Sequence, residues 1–127
     1  MHIFKNKEFD KWAKVEGLSD NLLVKAAKEL GQGLYEASLG GNIYKKRLPI
    51  AGKGKRGGAR VIIAFKKDKI TFFIYGFCKK QKDNITDREK ESLKVLANEY
   101  FSYTPKQLSE AVDMSKLIEV IYEKIYS

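Results

Sequence analysis

The sequence predicts an α+β fold, a compact antiparallel sheet packed against an N-terminal helical hairpin and C-terminal helices. Three observations predict it. Two capped amphipathic segments fill residues 6–31, and two runs rich in β-branched and aromatic residues flank the polar turn "KKDK". Beyond residue 85, two Thr-x-x-Glu/Gln capping boxes open further helices.

In chain order, His2 to Phe4 is a possible short strand. "NKEFDKWAKVEG" then offers Asn6 as N-cap, Phe9, Trp12 and Ala13 on one helical face, and Gly17 just past the end. "SDNLLVKAAKELG" repeats the pattern, with Ser19 as cap, Leu23, Ala26, Ala27 and Leu30 at helical spacing, and Gly31 as terminator. "NIYKKRL" reads as a strand, followed by "AGKGKRGGAR", then "RVIIAFK" and "KITFFIYGF" as an antiparallel hairpin. Both hairpin strands are apolar at nearly every position, which implies burial on both faces or a central place in the sheet. "TDRE" opens a helix with Thr86 and Glu89 in reciprocal roles and Leu93, Leu96, Ala97 and Tyr100 as its stripe. "TPKQ" opens another, with Thr104 as cap, Pro105 in the first turn and Gln107 reaching back. Leu108, Ala111 and Val112, then Leu117, Ile118, Ile121 and Ile125, are expected to continue one helical face through a break at residues 113–115. Without repeats or an internal linker, residues 1–127 read as one domain, with a core of about 1–102 and a helical extension of about 103–127.

Composition narrows the function classes. The chain has 127 residues, 43% hydrophobic and 32% charged, ordinary values for a globular protein with one core. The single Cys78 removes an internal disulfide framework, and with His2 as the only histidine a zinc site is not expected. No cofactor is called for. No run approaches the ~20 apolar residues of a membrane helix, so the expected location is cytoplasmic.

Charge is more informative in its distribution than in its sum of +9. Residues 1–43 are neutral, with six cations and six anions, and residues 83–127 carry a net −3. Residues 44–82 hold thirteen cations against Asp68 alone. A block of this kind creates a local field suited to phosphate. Within it, Gly52, Gly54, Gly57 and Gly58 let backbone N–H groups approach a phosphate while Lys53, Lys55 and Arg56 flank it. The spacing is not that of a nucleotide-binding P-loop, and a strand rather than a helix follows.

The ordered pair "YKKRLPIAGKGKRGGARVIIAF" and "FFIYGFCKKQKDNI", after a helical hairpin, resembles the RelE/ParE superfamily of bacterial toxins, in its HigB-like branch, over roughly residues 40–102. The resemblance implies a RelE-like toxin domain of a type II toxin-antitoxin system. It also implies a cognate antitoxin, acidic or helix-turn-helix and DNA-binding, and cleavage of messenger RNA in the ribosomal A site. Some members inhibit DNA gyrase instead, so a gyrase inhibitor stays open as an alternative, as does a non-catalytic nucleic-acid-binding module.

Metal-free RNA cleavage proceeds by attack of a 2′-hydroxyl on the adjacent phosphate, which needs a base, an acid and cations for the charge that builds on phosphorus. Paired histidines are excluded because His2 is the only one and lies at the terminus, but lysine can substitute. A lysine base near neutral pH needs its pKa lowered by about three units from ~10.4, and crowding by like charge acts in that direction. The candidate catalytic residues are Lys53, Lys55, Arg60 and Lys79, with Lys45, Lys46, Arg47, Arg56, Gly57, Gly58, Lys80 and Lys82 as RNA-binding residues. By resemblance, Arg60 matches the arginine after the glycine pair that grips phosphate, Lys53 and Lys55 match basic loop positions, and Lys79 matches a basic residue of several relatives. Arg60 also qualifies on chemistry, because a guanidinium holds phosphate at two points without any pKa shift. The alternative role for the loop lysines is phosphate binding without proton transfer. Ile85 stands where the resemblance leads one to expect a tyrosine, which leaves base stacking to Tyr75 or Phe77 unless both pack in the strand core.

Overall fold

A computed structural model describes residues 2–50 and 58–121. Its elements are β1 (His2–Asn6), α1 (Lys7–Glu16), α2 (Asp20–Gly31), β2 (Ala37–Gly40), β3 (Ile43–Leu48), β4 (Ala59–Lys66), β5 (Ile70–Cys78), α3 (Asp87–Phe101), α4 (Pro105–Asp113) and β6 (Leu117–Glu119). The six strands form one sheet in the order β2-β3-β4-β5-β1-β6. The α+β class is therefore as expected, with one refinement. β1 runs parallel to β5 while every other pairing is antiparallel, so the sheet is mixed.

The helix ends follow their predicted chemistry. Asn6 ends β1 and also caps α1, its Oδ1 accepting from the Phe9 N–H at 2.8 Å, while Gly17 takes the left-handed conformation that closes the helix. Ser19 caps α2, but Gly31 is its last helical residue, and the left-handed turn falls two residues later at Gly33. Both capping boxes, Thr86/Glu89 and Thr104/Gln107, are formed.

The hairpin of β4 and β5 is the centre of the molecule, and helices cover both of its faces. Val61, Ile63, Phe65 and Phe73 pack with Phe9, Ala13, Leu23, Ala26 and Leu30 of α1 and α2. Ile62, Ala64, Phe72 and Ile74 pack with Leu93, Ala97 and Ala111 of α3 and α4. Burial on both faces is what makes the strand sequences apolar throughout. One irregularity decides which side chains face which layer. Ile62 pairs with Tyr75 but Ile63 pairs with Phe73, so Ile74 is an extra residue in β5. This bulge turns Tyr75 and Phe77 toward the α3 side, whereas strict alternation from Phe73 would have sent them to the α1 side. Gly76 then lies under Trp12, and a Cβ there would stand 2.2 Å from the indole.

The C-terminal segment corrects one expectation. The chain does break near residues 113–115, with Ser115 at φ 59°, but Leu117–Glu119 is not helical. It pairs antiparallel with β1 as the edge strand, and the Val120 N–H donates to the Ile3 carbonyl at 2.8 Å. Burial of Leu117 and Val120 has the i, i+3 spacing of a helix turn, but β1 presents an open edge that must be paired, and the segment takes it. Leu117–Glu119 thus closes the β1 edge of the sheet, and α4 packs on one face through Ala111. Ile125 lies outside the described residues.

β1 also anchors an ionic cluster around the buried Lys5 and Asp10. Lys5 Nζ lies 2.8 Å from Asp10 Oδ1 and 3.0 Å from Asp20 Oδ1, and Lys14 completes it at 3.0 Å from Asp10 Oδ2. Burial alone would lower the Lys5 pKa, but the two carboxylates more than offset it and leave it raised. The cluster ties β1, α1 and α2 together.

Candidate functional site

Part of the basic block converges on one end of β3, β4 and β5, while Lys66, Lys67 and Lys69 lie at the opposite end, at the turn from β4 to β5. Register creates the grouping. Arg47 pairs with Arg60 and Arg60 with Phe77, so the three side chains occupy one row on one face; Lys45, Ile62 and Tyr75 form the next row of that face. Ala59 pairs with Cys78, so the turn bearing Lys79 and Lys80 emerges beside the start of β4, and both lysines are exposed. Gly58 is buried at the same place, where a Cβ would meet the Leu48 carbonyl at 3.3 Å and the Arg47 Nε at 3.4 Å. Lys53, Lys55, Arg56 and Gly57 lie outside the described residues.

The cations of this end differ in what holds them. Arg60 is only 7% exposed, and its Nε contacts Glu36 Oε2 at 2.8 Å across the sheet from β4 to the start of β2. The guanidinium is thereby fixed in position and partly neutralised. Lys46 is separated from its chain neighbours by strand alternation: it is buried on the α2 side, 3.2 Å from Glu29 Oε1 and 2.8 Å from the Leu34 carbonyl. Lys45 donates to Asn84 Oδ1 at 3.4 Å. Arg47 is exposed beside Arg60.

Residues 79–86 fold back over the Tyr75 row and fasten to α3. Lys82 Nζ bonds Glu89 Oε2 and approaches the Tyr75 hydroxyl at 3.3 Å, which itself donates to Glu89 at 3.2 Å. Glu89 Oε1 meanwhile accepts from the Thr86 N–H at 2.9 Å, so one carboxylate caps the helix and holds the lysine. The bond from Lys82, together with the Thr86 cap, lowers the Glu89 pKa to about 2, and the same bond raises that of Lys82. Lys82 is therefore a fixed cation at neutral pH. Phe77 is buried, and the Tyr75 hydroxyl is engaged, so the two aromatic residues named from the sequence are packing residues in this state.

Sequence reasoning missed the carboxylates. Glu29, Glu36 and Glu89 each bind a cation of the basic block from a different element, and no spacing in the sequence announces a pair across the fold. It also missed β2, for which Gly40-Gly41-Asn42 was an available signal: all three have positive φ and form the turn into β3. Among the described residues, no three His, Cys, Asp or Glu side chains are grouped as a metal ligand set, and no helix is long and apolar enough to cross a membrane.

Chemically, this end offers fixed cations at Arg60 and Lys82 and exposed ones at Arg47, Lys79 and Lys80, arranged for a polyanion that crosses the strand ends. A family model described as the RelE toxin of the RelE / RelB toxin-antitoxin system matches residues 1–120. No curated protein matches the chain.

Proposed function

Because this chain belongs to the RelE toxin family, we propose that it is the toxin of a type II toxin-antitoxin system and acts in the cytoplasm as an endoribonuclease on messenger RNA held by the ribosome. The toxin domain spans residues 1–127, and its partners are a cognate antitoxin, of the helix-turn-helix kind, and the translating ribosome. The observation that carries the reading is the register that sets Arg47 beside Arg60 and brings the Lys79 turn alongside β4.

In the mechanism proposed, the 2′-oxygen attacks the neighbouring phosphorus, the 5′-oxygen of the next nucleotide leaves, and a cyclic phosphate remains. Arg60, held by Glu36, binds the non-bridging oxygens and stabilises the charge that grows on them. Lys79, on the adjacent turn, serves the leaving oxygen. Lys53 and Lys55 precede β4 in the chain and take the 2′-proton or bind the flanking phosphate. Lys45, Arg47, Arg56 and Lys80, with the backbone at Gly57 and Gly58, hold the RNA strand, while Lys46 and Lys82 act through the local field. A site without a histidine base depends on a substrate delivered in attacking geometry, and complete positioning contributes ~7–11 kcal/mol. This is the reason for assigning the ribosome a role.

Primer extension on a message after induction of the wild type and of Arg60→Ala tests the proposal. Cuts in register with codons in the first and none in the second are expected. Intact message with lost supercoiling activity would point instead to gyrase.

A further inference from the structure

Next to Arg60, on the side away from β5, a pocket of about 420 Å³ is lined by Leu34, Tyr35, Glu36, Lys46, Arg47 and Arg60. Its walls are of two kinds. Arg47, Arg60 and Lys46 give it positive charge, offset in part by the Glu36 carboxylate that pairs with Arg60, and Leu34 and Tyr35 give it an apolar rim that is 51% and 43% exposed. Among the described residues, these are the only two large exposed hydrophobics adjacent in sequence, and they sit against the basic end.

The rim is rigid. The Leu34 N–H donates to the Glu29 carbonyl at 2.9 Å, the Leu34 carbonyl accepts from Lys46, and the Glu36 N–H donates to the Lys45 carbonyl at 2.8 Å. The Tyr35 ring leans on Tyr44 with centroids 4.8 Å apart, and Tyr44 meets Phe65 edge-on behind it. Tyr35 is therefore a supported aromatic surface with one side left to solvent. Packing within the monomer accounts for Tyr44 but not for holding Tyr35 half-exposed at a cationic pocket.

We infer that this pocket is a nucleotide subsite for single-stranded RNA, in which a base lies on Tyr35 and Leu34 while the phosphate attached to it meets Arg47 and Arg60. The inference rests on the RNA reading above and deepens it by naming the residue that orients the strand. An aromatic platform beside guanidinium groups is the usual means of holding an unpaired nucleotide without reading its sequence. The volume lies in the range of small-ligand sites. Neither Tyr75 nor Phe77 is free to play this part, which leaves Tyr35 as the exposed aromatic next to Arg60.

The test uses the full chain and a 2′-O-methyl hexanucleotide carrying one 2-aminopurine, which cannot be cleaved by 2′-attack and whose fluorescence falls on stacking. Wild type, Tyr35→Phe, Tyr35→Trp and Tyr35→Ala are titrated at several salt concentrations, with thermal melts to verify folding. Tyr35→Phe and Tyr35→Trp should bind and quench like wild type. Tyr35→Ala should lose affinity about 5- to 100-fold and lose the quench, while its salt slope stays that of wild type. Salt-dependent binding with full quench in Tyr35→Ala would overturn the subsite and leave the RNA reading standing. Absence of any salt-dependent binding by wild type would overturn the subsite, while the primer-extension test above decides the RNA reading separately. A glutamate-rich peptide that binds in a Tyr35-dependent manner and excludes the RNA probe would assign the pocket to an acidic protein partner and overturn the inference.

Discussion

Two regions of this molecule hold cations out of water, and they do so differently. Around Lys5, two aspartates and two lysines close on one another between β1, α1 and α2, and the group is neutral, with Lys5 and Asp10 buried and Asp20 and Lys14 at its solvent side. At the end of β3, β4 and β5, Arg60, Lys46 and Lys82 each have one glutamate, yet Lys45, Arg47, Lys79 and Lys80 add further positive charge at the same edge. The first arrangement balances its charges and does scaffold work. The second keeps a surplus. A buried cation alone does not mark a site; a fixed cation beside exposed ones at the same edge does.

The sharpest way to break this comparison is to remove the cation from each region. Lys5→Ala leaves Asp10 buried without its main partner and should cost about 3–5 kcal/mol of stability, read from denaturant midpoints. Any loss of cleavage in that variant should vanish under conditions where it is folded. Arg60→Ala should do the reverse. Cleavage on programmed ribosomes should fall by about 10²–10³-fold, with a much smaller loss of stability, because Glu36 is left near solvent and can hydrate. Equal stability losses in the two variants would erase the distinction.

A third change probes how the faces are assigned. Gly76→Ala pushes a methyl group into Trp12 and should cost about 1–3 kcal/mol, measurable as a lowered melting temperature, since both partners are held by the sheet and α1. The smallest effect concerns Glu89. Its pKa is depressed, so the stability it contributes is complete above its ordinary value of 4.5 and disappears as pH falls toward about 2. Melting temperatures of Glu89→Gln should therefore lack part of the acid dependence seen in wild type between those values. The same variant releases Lys82, and the salt dependence of RNA binding should steepen by at most one phosphate contact.

Much of the fold was legible because its signals are local. Asn6, Ser19, Thr86 and Thr104 cap the helices as their side chains dictate, and the "KKDK" turn joins two strands whose unbroken apolar character required cover on both faces. Leu117–Glu119 was misread because three residues cannot distinguish a period of two from one of 3.6, and the open edge of β1 that captures them is a tertiary fact. The candidate site was legible as a block of charge but not as a geometry. The extra Ile74 that re-aims Tyr75 and Phe77 has no sequence signature, and the glutamates that hold Arg60, Lys46 and Lys82 come from elements up to 24 residues away along the chain, as Glu36 does for Arg60. Tyr35 carries no sequence signal for a related reason: Arg60 reaches the same pocket only by pairing across β3.

The central claim is that the surplus-charge end cuts RNA through the ribose hydroxyl. It is tested most directly by single-turnover reactions on ribosomes programmed with two messages, identical except for a ribose or a 2′-deoxyribose at the mapped cut. The account predicts that the ribose message is cleaved to a cyclic-phosphate end, and that the deoxy message stays whole while the toxin still binds its ribosome. Cleavage of the deoxy message at a comparable rate would contradict it.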